Sequence, residues 1–175
     1  RFYESQGVMP RDKIIGFNIG SAVPEKRWPA ERFADVADYF GNKGYKTVFF
    51  GGPMDLDMVK PVVAQMKTSP IVATGAFKLG PLAAAMKWCD LLITNDSGPM
   101  HVAISQGVPI VALYGPSNPF FYGPYQAKSI VLESMDHYEI GKSMKQVIKE
   151  GKYKGISVIT EEQVIKAAET LLQES

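Results

Sequence analysis

The sequence predicts an α/β fold in which helices cover both faces of a doubly wound, Rossmann-like parallel sheet. Short apolar runs, rich in β-branched and aromatic residues, alternate along the chain with segments of helical periodicity. These runs are apolar throughout, which is typical of strands buried on both faces. With 175 residues, 46% of them hydrophobic, the chain is long enough for one domain with one core, and we predict a single domain over 1–175.

Turn-forming residues separate the predicted elements. The first strand, 13–19, is followed by a helix over 30–43, whose apolar residues recur at i, i+3, i+4 and i+7. A capping-box pattern of Thr160 with Gln163 predicts the start of the last helix. For the polar stretch 133–155 the sequence predicts no helix or strand. The other predicted elements are strands over 46–50, 71–73, 90–94, 109–113 and 129–132, and helices over 55–67, 79–88 and 100–106.

Charge and cysteine content exclude several function classes. Nineteen Lys and Arg against eighteen Asp and Glu leave a net charge of +1, so we expect no uniformly basic surface and no nucleic-acid partner. The single cysteine, Cys89, excludes an internal disulfide and a cysteine-based zinc site, and it favours a reducing compartment. No apolar run reaches about eighteen residues. The chain starts at Arg1, with neither an initiator methionine nor the apolar region of a signal peptide. We therefore expect it to be part of a longer protein.

The loop between the first strand and its helix has the composition of a phosphate site. Gly20 and Ser21 can bring a backbone N–H and a hydroxyl close to a phosphate, and Lys26 and Arg27 add positive charge. The loop lacks both the P-loop pattern and G-x-G-x-x-G, which argues against nucleoside triphosphatases and dinucleotide dehydrogenases. The alternative is a solvated loop in which Trp28 packs on the following helix.

A second anion site is predicted where the fourth strand turns directly into a helix. Asp96 or Ser97 can cap this helix, and Gly98 permits close approach of a ligand. Free N–H groups and the helix dipole would bind a phosphate there, although an ordinary capped helix start is the alternative. A metal pair of Asp96 with His101 is also conceivable. Since His137 is the only other histidine, we predict no metal and no cofactor.

Three further loops are predicted at the same edge. The loop over 114–125 has three prolines and two glycines, and its Ser117 can donate a hydroxyl. Asp55, after a Gly-Gly-Pro turn, is either the acidic residue of a helix start or a carboxylate that accepts hydrogen bonds from a ribose. Phe77 either flanks a nucleobase or belongs to the core.

Five short segments occur in a fixed order, each at the carboxyl end of a predicted strand or in the helix that follows. They are Lys26-x-Trp28-Pro29, Gly51-Gly52-Pro53, Leu79-x-x-Leu82-Ala83, Asp96-Ser97-Gly98-Pro99-x-His101 and Tyr114-Gly115-Pro116-Ser117-Asn118-Pro119. Together they resemble the carboxyl-terminal domain of glycosyltransferase family 9, the heptosyltransferases of bacterial lipopolysaccharide core assembly. The resemblance covers nearly the whole chain and implies the donor-binding half of a two-domain GT-B enzyme.

This resemblance implies an inverting, metal-independent transferase whose donor is a nucleotide-diphosphate sugar, usually ADP-heptose. The absent amino-terminal half would bind the lipopolysaccharide core acceptor and carry the general base, so this half alone would be inactive. A cytoplasmic enzyme with peripheral contact at the inner face of the inner membrane is implied. Lys26 and Asp96 are the catalytic candidates, at the diphosphate and at the sugar hydroxyls. The other implied donor-binding residues are Ser97 and Gly98 through their N–H groups, Ser21 near the phosphate, Asp55 near the ribose, Phe77 near the base, and His101 and Ser117.

Two other interpretations stay open at this point. A sugar-nucleotide epimerase of similar architecture would need acid and base side chains in the site, and the chain has two histidines. A non-catalytic nucleotide-binding module would explain the aromatic residues Phe120, Phe121 and Tyr122 as a partner interface. In a transferase we expect these three side chains to line the cleft that faces the absent half.

Overall fold

The predicted parallel sheet is present in the computed structural model, which describes residues 2–135, 142–151 and 153–174. The strands are β1 (Ile14–Asn18), β2 (Lys46–Phe50), β3 (Ile71–Val72), β4 (Leu91–Asn95), β5 (Ile110–Tyr114) and β6 (Ser129–Glu133). The helices are α1 (Phe2–Ser5), α2 (Ala30–Asn42), α3 (Leu56–Gln65), α4 (Leu79–Met86), α5 (Gly98–Ser105), α6 (Pro119–Tyr122), α7 (Met144–Lys149) and α8 (Glu161–Gln173).

The strand order reverses in the middle of the sheet. All six strands are parallel and lie in the order β3-β2-β1-β4-β5-β6. Asn18 at the end of β1 is therefore paired with Phe50 of β2 on one side and with Thr94 of β4 on the other. At such a switch point the connections leave in opposite directions and open a crevice at the carboxyl ends of the strands. The candidate site lies in this crevice, between the loops that follow β1 and β4.

Two apolar clusters cover the two faces of the sheet. Helices α2, α3 and α8 pack on one face, where Phe17 and Phe49 stack with their ring centroids 5.3 Å apart. Helices α1, α4 and α5 pack on the other face. Every residue of β1, β4 and β5 is buried, as their continuous apolar runs predict. No helix within the described ranges combines the length and the apolarity needed to cross a membrane.

Three short α-helices of the described ranges were not predicted from the sequence. Helices α1 and α6 are single turns, and α6 lies inside the segment interpreted as a loop. Helix α7 lies in the polar stretch for which no element was predicted, and the capping box of Ser143 with Gln146 marks its start. The rest of that stretch includes residues outside the described ranges. The capping box at Thr160 is confirmed, since its hydroxyl accepts a hydrogen bond from the N–H of Gln163 at 3.2 Å.

Asp38 joins α2 to the turn before β3. Its carboxylate accepts hydrogen bonds from the N–H groups of Lys67 and Thr68, both at 2.8 Å, and from the Thr68 hydroxyl at 2.6 Å. Partial burial acts to raise the pKa of Asp38, but the three hydrogen bonds and the charge of Lys67 outweigh it and lower that pKa. The stabilisation from these contacts is therefore fully present above the unfolded-state pKa of Asp38, about 4. It is lost as the pH falls through the lower pKa that Asp38 has in the folded state.

We expect Asp38→Asn to lower the free energy of unfolding by about 1.5 kcal/mol at pH 7 and by less at pH 3. The reason is that the protonated carboxyl group, like the amide, is a poorer acceptor for two N–H donors than the carboxylate is. Urea denaturation at both pH values measures the difference. Asp35→Asn, at an exposed position of the same helix, is the control. An equal loss of unfolding free energy at pH 7 and pH 3 would contradict the conclusion that these hydrogen bonds lower the pKa of Asp38.

Candidate functional site

Lys26 and Asp96 meet across the switch point. The Lys26 ammonium lies in a short 3-10 turn of the loop after β1, and Asp96 directly follows β4. Their Nζ and Oδ2 atoms are 2.5 Å apart, and the two side chains are only 17% and 6% exposed. The two catalytic candidates of the sequence analysis, seventy positions apart in the chain, thus form one largely buried ion pair in the crevice.

Two serines also contact Asp96, one from the loop after β5 and one from the loop after β1 that carries Lys26. The Ser117 hydroxyl, in the loop after β5, donates a hydrogen bond to Asp96 Oδ2 at 2.7 Å and is buried. The Ser21 hydroxyl lies 3.4 Å from the backbone carbonyl oxygen of Asp96 and accepts a hydrogen bond from the Val23 N–H at 3.3 Å. The structure therefore brings Ser21, Lys26, Asp96 and Ser117 together, as the sequence analysis expects of a single site.

The amino terminus of α5 borders the same crevice. Ser97 is the N-cap residue, but its side chain makes no capping hydrogen bond. Its hydroxyl instead accepts a hydrogen bond from Asn18 Nδ2 at 2.7 Å and lies 3.3 Å from the Asn95 carbonyl oxygen. A Cβ atom added to Gly98 would meet no atom within 4 Å, so there is space in front of the first helical turn. An uncapped helix start with open space beside it is a suitable anion site.

Two buried asparagines support these loops, and the sequence analysis missed both. Asn18 donates from Nδ2 to the Thr94 hydroxyl at 3.0 Å and to Ser97. Asn95 accepts a hydrogen bond from the N–H of Trp28 at 3.1 Å and donates to the Ile19 carbonyl oxygen at 2.9 Å. Each asparagine is the last residue of a buried, mostly apolar strand, and this position was a detectable signal. Their amide groups fix the loop after β1 to the start of α5.

Asp55 fulfils the first of its two predicted roles and lies at the edge of the crevice. Its Oδ2 accepts a hydrogen bond from the Gly52 N–H at 2.8 Å, immediately before α3. The same carboxylate lies against the loop after β1, so that a Cβ atom added to Gly20 would overlap Asp55 Oδ1. Only glycine fits at position 20 without moving that carboxylate. The contact with a ribose stays a prediction.

Phe77 and His101 are not brought to the ion pair by any described contact. The Phe77 ring packs edge-on against Phe2, with centroids 4.8 Å apart, and lines a groove of about 610 Å³ together with Tyr3 and Trp88. This placement favours the core interpretation of Phe77. His101 is exposed in the first turn of α5. Within the described part of the chain, no three His, Cys, Asp or Glu residues form a cluster that could hold a metal ion, and His137 lies outside that part.

The aromatic residues after β5 face solvent at the crevice edge. Phe120, Phe121 and Tyr122 of α6 are 75%, 55% and 56% exposed, so they do not point into the core. The Lys26 ammonium lies 5.6 Å from the centroid of the Tyr122 ring. That these three side chains line the cleft facing the other half of a transferase stays a prediction.

Comparisons with known proteins identify the family. The model of glycosyltransferase family 9 (heptosyltransferase) matches residues 3–154. The chain belongs to glycosyltransferase family 9. The lipopolysaccharide heptosyltransferase 2 of Escherichia coli (strain K12) is 33% identical over 164 residues, which are 91% of this chain and 47% of that protein. This membership supports a glycosyltransferase rather than an epimerase.

Solved structures of family 9 share the fold of this domain. The glycosyl transferase family 9 structure from Veillonella parvula DSM 2008 is 80% identical, with a TM-score of 0.95 over 99% of this chain and 50% of that chain. The Escherichia coli ADP-heptose lipopolysaccharide heptosyltransferase II is 30% identical, with a TM-score of 0.81 over 98% of this chain and 50% of that chain. The chain thus spans about half the length of these relatives and has the fold of one half of a GT-B glycosyltransferase.

Proposed function

We propose that this family 9 domain binds ADP-heptose, the donor of a heptosyl transfer to the inner core of lipopolysaccharide. The observation that carries the proposal is the position of Lys26 beside the amino terminus of α5, at the switch point of the sheet. A lysine and a helix start together suit the two phosphates of a nucleotide-diphosphate sugar. The names of two relatives, lipopolysaccharide heptosyltransferase 2 and ADP-heptose lipopolysaccharide heptosyltransferase II, support this donor and this acceptor.

In the proposed reaction, an acceptor hydroxyl attacks the anomeric carbon and inverts it while the nucleoside diphosphate leaves. Negative charge then grows on the diphosphate, and Lys26 with the N–H groups of Ser97 and Gly98 supplies preorganised positive charge there. For this purpose the Lys26 ammonium exchanges its Asp96 partner for a phosphate oxygen. Asp96, still held by Ser117, accepts hydrogen bonds from the sugar hydroxyls. The proposed reaction uses no metal ion, because Lys26 and these N–H groups stabilise the negative charge that develops on the leaving diphosphate.

The proposal divides the work between two halves of a longer protein. The present domain binds the donor, with Ser21 at the phosphate and Asp55 at the ribose. The other half would bind the acceptor and supply the general base, so the present domain alone binds the donor without transferring it. The lipid-linked acceptor would bring a cytoplasmic enzyme into peripheral contact with the inner face of the inner membrane.

Calorimetric titration with ADP, UDP, GDP and ADP-heptose, with a chelator present, tests the donor. We expect tightest binding of ADP-heptose, and binding of ADP in preference to UDP and GDP. Equal affinity for ADP and ADP-heptose would favour a non-catalytic nucleotide-binding module, because that interpretation predicts no contact with the sugar. Failure of the full-length protein to bind any of the four would contradict the proposal.

A further inference from the structure

One tyrosine hydroxyl joins two of the segments that border the crevice. Tyr114 is the last residue of β5, and its ring is fully buried in the apolar cluster that contains Met100. Its hydroxyl donates a hydrogen bond to the carbonyl oxygen of Tyr122 at 2.5 Å and lies 3.8 Å from Met100 Sδ. Tyr122 ends α6, and Met100 lies in the first turn of α5. The hydroxyl thus connects α6 with the start of α5.

The segment between Tyr114 and Tyr122 contacts both members of the ion pair. Ser117 donates its hydroxyl to Asp96 Oδ2, and the Tyr122 ring lies 5.6 Å from the Lys26 ammonium. Helix α6 is only four residues long, and its large side chains are mostly exposed. A single helical turn has little stability of its own, so its position depends on its tertiary contacts. The Tyr114 hydroxyl supplies one such contact from inside the core.

We propose that Tyr114 is a positioning residue that holds the Lys26–Asp96 pair through α6. Packing in the core fixes the Tyr114 ring. The hydrogen bond from its hydroxyl holds the Tyr122 backbone in place, and the Tyr122 ring in turn contacts the Lys26 ammonium. The inference concerns the ion pair itself, and it rests on the proposed function only for its effect on nucleotide affinity. Tyr114→Phe removes the hydroxyl while leaving an aromatic ring of nearly the same volume in the core.

Trace acetylation of lysine amines tests the positioning without any ligand. Lys26 is compared by mass spectrometry with Lys166, which is exposed on α8. We expect Tyr114→Phe to raise the labelling of Lys26, relative to Lys166, about fivefold. The reason is that losing one hydrogen bond shifts the equilibrium between the held and the released ammonium by about that factor. The control is Tyr3→Phe, because the Tyr3 hydroxyl donates to the Ala85 carbonyl oxygen at 2.8 Å on α4. Unchanged labelling in Tyr114→Phe, or an equal rise in Tyr3→Phe, would overturn the proposal.

A double-mutant cycle on ADP affinity tests whether Tyr114 acts through Lys26. Tyr114→Phe should weaken ADP binding about fivefold in the wild-type protein and have little effect in the Lys26→Ala background. Equal effects in the two backgrounds would show that Tyr114 acts elsewhere and would overturn the proposal. If Lys26→Ala alone leaves ADP affinity unchanged, the proposed function fails instead, and the acetylation experiment still decides the role of Tyr114.

Discussion

Lys26→Ala is expected to lower the turnover of heptosyl transfer by about a hundredfold, which corresponds to about 3 kcal/mol of lost transition-state stabilisation. The Lys26 side chain lies in a crevice and is only 17% exposed, so its charge is weakly screened by water. The substitution removes the one side-chain cation that the proposal places at the leaving diphosphate. The measurement is the kcat of the full-length protein with ADP-heptose and a lipopolysaccharide core acceptor.

Lys13→Ala is the matched control for this variant. Lys13 also forms an ion pair, with Asp90 at 2.8 Å, but its side chain is 66% exposed and it lies just before β1, at the opposite edge of the sheet. We expect its removal to leave kcat within about twofold of the wild-type value, since an exposed ion pair contributes little to stability and this one lies away from the crevice. A Lys26→Ala protein that folds normally and turns over at the wild-type rate would remove Lys26 from the mechanism.

Trp28→Ala is expected to lower the free energy of unfolding by about 4 kcal/mol. Trp28 is 1% exposed and packs edge-on against Phe33, with ring centroids 5.0 Å apart. Its indole N–H donates a hydrogen bond to the Ile159 carbonyl oxygen at 2.9 Å, just before α8. The substitution therefore leaves a large cavity and removes one of the two hydrogen bonds to that carbonyl oxygen, the other being donated by Arg32 Nη1 at 2.8 Å. Urea denaturation followed by circular dichroism measures the loss.

The second tryptophan of the chain provides the comparison. Trp88 is 65% exposed on the other side of the sheet, so Trp88→Ala should change the free energy of unfolding by only about 0.5 kcal/mol. Similar losses for the two variants would mean that burial of Trp28 does not stabilise the fold as the structure indicates. The difference matters for the site, because Trp28 lies two residues after Lys26 and holds that loop on the core.

The sequence by itself determined the six strands and the longer helices of this domain, and the edge on which its candidate loops lie. Strands β1, β4 and β5 were predictable because continuous apolar runs can be satisfied only by burial on both faces. The start of α8 was predictable because a capping box is a local pattern over four residues. The same pattern at Ser143 and Gln146 marks α7 and was overlooked. Since parallel strands place their carboxyl ends together, the loops that carry Lys26 and Asp96 could be assigned to one edge.

Only the tertiary structure decided which side chains meet at that edge. The strand order placed β1 beside β4, and with it Lys26 beside Asp96, through pairings between distant parts of the chain. The contact of Phe77 with Phe2 and the hydrogen bond from Tyr114 to Tyr122 depend equally on packing. Local patterns report backbone conformation and burial, whereas the direction and partner of a side chain depend on neighbours supplied by other elements. For this reason the sequence could name Ser21, Lys26, Asp96 and Ser117 as candidates, and the fold decided that these four side chains meet.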